Sequence, residues 1–158
     1  MIPRPAVEAD FAPAARLWAD GWAEAHIAHV PEALTRLRTV EDFERRLRGF
    51  GDGLRVAGPE GAPFGLCVVR GHLLDQIFVS PDARGTGLAK TLLADGEARI
   101  AAAGFDEAEL DCIPENTHAR AFYQRMGWTD CGIEEASLES SDGPFMLACV
   151  IFRKNLSQ

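Results

Sequence analysis

A chain of 158 residues, 47% of them hydrophobic, is long enough to bury one substantial core as a single domain spanning residues 1–158. Its formal net charge of −8 and the lack of any long basic run exclude a phosphate-binding stripe and, with it, nucleic acid as a partner. No apolar stretch suits a membrane span and none reads as a cleavable leader, so membrane and export classes are set aside.

In chain order, Met1 to Ala6 predicts a short edge strand interrupted by Pro3 and Pro5. Asp10 is a good helix N-cap, followed at helical spacing by Phe11, Ala15, Trp18 and Trp22. Pro13 is tolerable in the first turn, and the segment up to Pro31 ends or bends that helix. A second helix is expected from Val40 to Arg48, with Phe43 and Leu47 inward. The glycines at 49, 51 and 53 then mark a loop. Leu54 to Ala57, Phe64 to Arg70 and Leu73 to Val79 predict an antiparallel meander, turned at Pro59-Glu60-Gly61 and Gly71-His72.

Ile77, Phe78 and Val79 end the third of these strands at Ser80-Pro81-Asp82. A long helix is then expected from about Gly85 to Ala103, its apolar face made by Leu88, Leu92, Leu93, Gly96 and Ile100, with Gly104 as its stop. Glu107 to Ile113 is the next strand, and a helical crossover makes it parallel to the one before. Asn116 opens another helix with Ala119, Phe122, Tyr123 and Met126 on one face, closed by Gly127. Thr129 to Leu138 and Phe145 to Phe152 are the last strands. The pattern is α+β, with a mixed, mostly antiparallel sheet flanked by helices.

The chemistry centres on Arg84-Gly85-Thr86-Gly87-Leu88-Ala89. Two glycines remove side chains where the backbone bends, and the free amides at the start of a helix form an anion site fit for a pyrophosphate. Arg84 adds a forked cation. This stretch resembles the Arg/Gln-x-x-Gly-x-Gly/Ala signature of the GCN5-related N-acetyltransferase (GNAT) superfamily. Asn116, Ala119, Phe122, Tyr123 and Gly127-Trp128 resemble the same family's Asn-x-x-Ala-x-x-Phe-Tyr-x-x-x-Gly-aromatic segment.

That resemblance implies the GNAT fold, with an acyl-CoA cleft between two splayed parallel central strands. It implies acetyl-CoA as cosubstrate, its pyrophosphate on Gly85, Thr86, Gly87, Leu88 and Ala89 beside Arg84 and Lys90. The pantetheine arm is expected to pair with the strand at Ile77, Phe78 and Val79. Asn116, Ala119 and Phe122 complete the cofactor side, Asn116 serving as well as an N-cap. Tyr123 matches the family tyrosine that protonates the departing thiolate, a role open to a phenol that stays protonated at neutral pH.

An acceptor amine must lose a proton before it attacks, so a base is required. Asp75 is the first choice, because a carboxylate between apolar strand neighbours is harder to ionise. Asp111 and Glu109 rank below it, and Cys112 as a covalent nucleophile would need an activating partner. Trp22, His26 and His29 are candidates to line the acceptor pocket, with Glu134 or Glu135 countering the amine's charge. The acidic balance favours a cationic acceptor such as a small-molecule or peptide amine.

The alternatives are a catalytically silent acyl-CoA-binding module, use of a longer acyl donor, and a toxin-like enzyme acting on charged transfer RNA. Retention of Tyr123 argues against the first and the acidic balance against the last. Cys67, Cys112, Cys131 and Cys149 lie apart with no Cys-x-x-Cys spacing, which suggests small buried thiols, no metal, and a reducing cytoplasm. A monomer and a homodimer both stay open.

Overall fold

The computed structural model describes residues 1–157. The strands are β1 (Arg4–Pro5), β2 (Leu54–Ala57), β3 (Gly65–Arg70), β4 (Leu73–Val79), β5 (Glu107–Cys112), β6 (Thr129–Leu138) and β7 (Phe145–Asn155). The helices are α1 (Phe11–His26), α2 (Glu32–Leu37), α3 (Val40–Gly49), α4 (Leu88–Ala102) and α5 (Thr117–Arg125). The strands form one sheet in the order β1-β2-β3-β4-β5-β7-β6, antiparallel except for β4 beside β5. No helix among the described residues is long and apolar enough to cross a membrane.

Alternation along the strands divides the core between the two sheet faces. Leu54, Val56, Leu66 and Val68 pack with Trp18, Phe43 and Leu47 from α1 and α3. Cys67, Leu74, Leu110 and Phe152 pack with Leu92, Leu93, Ile100 and Tyr123 from α4 and α5. The expected stripe of α4 includes Gly96 for a steric reason. A Cβ there would stand 2.9 Å from Leu74 and 3.1 Å from the Cys67 sulfur, so glycine lets the helix lie close against the sheet.

Three local expectations are corrected. Asp10 does not cap α1: its buried carboxylate accepts from the amides of Val7 and Gly61 and pairs with Arg4 at 2.7 Å. Those donors hold the Asp10 carboxyl down at about 2. The helix α2 has a single buried residue, Leu34, too little for an apolar period to show. And α4 begins at Leu88 instead of Gly85, because Gly85 and Gly87 sit at φ 78° and 83°, outside the helical region.

Two irregularities of β4 shape the site. Val68 pairs with Gln76 and Val69 with Leu74, which leaves Asp75 as an extra residue in a β-bulge. On its other edge β4 meets β5 in register only at Leu73 and Glu109. Beyond that pair the parallel strands splay, and the β4 edge from Gln76 to Val79 is left without a strand partner.

Candidate active site

A cleft of about 430 Å³ opens where β4 and β5 part. β4 supplies Asp75, Ile77 and Phe78, β5 supplies Asp111 and Cys112, and α5 with its cap supplies Asn116, Ala119 and Tyr123. From the helices before the meander come Trp22, His26, Arg38 and Arg46. The expected residues Asp75, Ile77, Phe78, Asn116, Ala119, Tyr123, Trp22 and His26 are thus brought to one cavity.

An unpartnered strand edge is a row of backbone donors and acceptors, which an extended amide-bearing chain satisfies by adding as a strand. After β4, a turn at Pro81–Ala83 leads into the glycine bend. Nothing lies within 4 Å of a Cβ placed on Gly85 or Gly87. The positive φ angles of these glycines, and not crowding, therefore demand their small size. The bend leaves the first amides of α4 without intrahelical partners, at the positive end of its dipole. That cradle has the chemistry of an anion site. Thr86 is not free for it as it stands, since its hydroxyl donates to the Ala83 carbonyl. Arg84 points to Glu24 of α1 at 2.8 Å, with both side chains more than half exposed. Such a surface pair is weak enough to re-aim. Lys90 is exposed, Val79 and Phe122 pack against the core, and none of the three lines the cleft.

Asn116 does cap α5, its Oδ1 accepting from the Ala119 amide at 3.2 Å. Tyr123 is held by the rings of Phe122, Trp128 and Phe152, with centroids 5.5, 6.3 and 5.8 Å away. The Trp128 indole in turn donates to Glu97, which pairs with Lys154. Among the described residues none accepts a hydrogen bond from the Tyr123 hydroxyl. Burial pushes the phenol well above its ordinary value, so it enters any reaction protonated.

Asp75 departs from expectation. The bulge sets its carboxylate 3.1 Å from the Arg70 Nε, so the apolar surroundings read from the sequence are replaced by an ion pair. The perturbed carboxyl is that of Asp111, across the splay on β5. Solvent reaches it through the cleft, yet the surrounding protein desolvates it, and the negative charges of Asp75 and Glu109 add to the effect. Together they push Asp111 up to about 6. Burial also raises Cys112 to about 12, which disfavours the thiolate that a covalent nucleophile needs.

On the acceptor side, the His26 ring stacks on Trp22 at 5.3 Å, and burial lowers its pKa. Glu134 is misplaced by the sequence reading: it lies exposed on β6, 3.6 Å from Arg153, and does not reach the cleft. Charges from Arg38, Arg45, Arg46 and Arg70 line the cavity instead. One signal for them was available. Arg46 falls three residues after Phe43 and beside Leu47, on the inward face of α3.

The Acetyltransferase (GNAT) family model matches residues 61–128, from the turn before β3 to the aromatic after α5. The peptidyl-lysine N-acetyltransferase YjaB of Salmonella typhimurium is 30% identical over 90 residues, 57% of either chain. A mycothiol acetyltransferase of Clavibacter michiganensis is 31% identical over 98 residues, 62% of this chain and 28% of that protein. The chain therefore spans less than two thirds of these relatives. A GCN5-related N-acetyltransferase structure from Rhodopseudomonas palustris superimposes with a TM-score of 0.74 at 21% identity, covering 98% and 96% of the two chains. The PaiA N-acetyltransferase of Thermoplasma acidophilum, in complex with coenzyme A, gives 0.66 at 16% identity, covering 97% of each. At such identities the structures show a shared fold, and the match to the Acetyltransferase (GNAT) family rests on residues 61–128, the segment that carries both motifs.

Proposed function

We propose that the protein is an acetyl-CoA-dependent N-acetyltransferase that acylates a primary amine by direct transfer. The observation that carries this reading is the meeting, in one cleft, of an unpartnered β4 edge, a protonated Tyr123 and the facing carboxylates Asp75 and Asp111. Bound acetyl-CoA would supply the acyl thioester. The amides at Gly85 to Ala89 would hold its pyrophosphate, with Arg84 released from Glu24 to help, and the β4 edge from Gln76 to Val79 would pair with its amide-bearing arm.

Asp111 is the carboxyl that changes protonation nearest neutrality, so it is the group suited to collect the amine's proton, directly or through water. Asp75 holds a negative charge next to it. The proton needed by the departing sulfur would come from the Tyr123 hydroxyl. A silent acyl-CoA-binding module would need the glycine cradle but neither this phenol nor this carboxylate pair. The relatives' names carry different acceptors, a peptidyl lysine and mycothiol, so neither is transferred to this chain. Free cysteines, three of the four buried, suit a reducing compartment such as the cytoplasm.

The test is thiol release from acetyl-CoA by purified protein across a panel of primary amines. Amine-dependent release above the hydrolytic background is expected. CoA binding with no amine-dependent release from any member would contradict the enzymatic reading.

A further inference from the structure

The acceptor side of the cleft contains an arginine that the fold does not satisfy. Arg46 is 8% exposed, and its guanidinium lies 4.4 Å from the centre of the Trp18 ring. Its Nε stands 3.0 Å from a Glu139 carboxylate oxygen, yet it has no aligned hydrogen-bond partner. Arg38 is similar: its side chain is 3% exposed and its Nε is also unpartnered. Its remaining contacts are the Glu139 carbonyl at 2.7 Å and Asp42 at 3.4 Å. Arg45 takes the better geometry, 2.7 Å from Asp42 and 3.1 Å from Glu139. Arg38, Arg45 and Arg46 thus share Asp42 and Glu139, and since Asp75, the other carboxylate acting on Arg46, is already paired to Arg70, one positive charge is left over within this group.

Burying a guanidinium without aligned acceptors is costly, because each of its donors gives up water. The desolvation shows in Arg46, whose pKa is pushed down to about 10. An incoming carboxylate would supply two acceptors in the geometry of the guanidinium fork. A single excess positive charge matches one carboxylate better than a phosphate monoester, which carries roughly −1.5 to −2 at neutral pH. Glu139, from the loop between β6 and β7, is about half exposed and already touches this spot with a carboxylate of the same chemistry.

Resting on the acetyltransferase reading above, we propose that the acceptor is a small amino acid-like molecule. Its carboxylate is seated on Arg46 and Arg38, and its amine is directed to the carboxylates of β4 and β5. Arg70 takes no part in that seat, because it is committed to Asp75.

The test compares the standard α-amino acids with their own carboxamides, by calorimetry on CoA-loaded protein and by initial rates of thiol release. For at least one pair, the acid should bind and react about 10- to 100-fold better than its amide, the scale of a charged, bidentate contact. Arg46→Gln should bring that ratio close to one without changing CoA affinity, and Arg46→Lys should retain part of it. If Arg46→Gln does not fold, the wild-type ratio alone decides. Acids preferred in binding without any acetyl transfer would sink the enzymatic reading and leave the carboxylate seat standing. Transfer with amides equal to or better than acids would do the reverse, and no acid preference in either readout overturns the seat.

Discussion

Between Ser80 and Leu88 the chain exposes backbone amides, whereas around Arg38, Arg45 and Arg46 it offers charged side chains. The first region depends on two positive-φ glycines and a helix start, all supplied by one contiguous stretch. The second is assembled from α1, α2, α3, β4, β5 and the loop after β6. A diphosphate can be recognised by amides that any sequence provides, once the bend is fixed. An acceptor must be recognised by particular charges, and these can change without altering the fold. On the proposed reading, the donor region asks little of its side chains, whereas the acceptor region depends on them.

The largest effect is expected on the donor side. Gly87→Glu places a carboxylate in the cradle and forces a non-glycine residue to φ 83°. CoA affinity should fall at least 100-fold by calorimetry, an order-of-magnitude expectation for like charges brought together at a desolvated anion site. Wild-type affinity in that variant would remove the cradle from the account.

Next in size is Tyr123→Phe, which keeps the ring between Phe122, Trp128 and Phe152 but removes the proton. Turnover should fall about 10- to 1000-fold, the scale of one general acid, while CoA affinity and melting temperature stay near wild type. Undiminished turnover would leave Tyr123 a core aromatic only.

These two residues also mark how far the sequence reaches. The glycine bend, the Asn116 cap and the stripe containing Tyr123 were legible, because each is a local pattern of contiguous or helically spaced residues. The meander and the parallel crossover were legible for the same reason. The bulge at Asp75 was not, since it exists only in the register of β4 against β3. Nor was the raised carboxyl of Asp111, which depends on its burial in the folded chain and on the charge of Asp75 from another strand. Glu134 was misplaced because alternation along β6 does not show which face of an edge strand meets the cleft. Arg46 shares the buried face of α3 with Phe43 and Leu47, and a charged residue there is invisible to an apolar periodicity.

Asp111→Asn should have a smaller effect, about tenfold on turnover at neutral pH, with a distinctive pH dependence. With its carboxyl raised to about 6, the wild type should gain activity as pH rises through that value. The variant should lose that limb and recover in part at high pH, where the free amine is more abundant. Stability should move in the opposite direction. A carboxyl raised in the folded state binds its proton more tightly there than in the unfolded chain. It therefore costs stability as pH rises from about 4 to about 6. Asp111→Asn should then melt higher than wild type at neutral pH. An unchanged pH–rate profile would return the base assignment to Asp75.

Arg84→Ala should be the mildest change. The side chain is exposed and shared with Glu24, so CoA affinity should weaken only about three- to tenfold, as expected for one surface contact on an anion. A loss matching that of Gly87→Glu would mean that side-chain charge, and not the backbone, holds the ligand.

The most direct test of a backbone-built donor site is a titration of wild-type protein with CoA, followed through its backbone amide resonances. The amides of Gly85 to Lys90 and of Gln76 to Val79 should shift together and saturate at one CoA per chain, with those of the β6–β7 loop changing less. Saturable shifts confined to other regions, with the glycine bend and the β4 edge unmoved, would contradict the account.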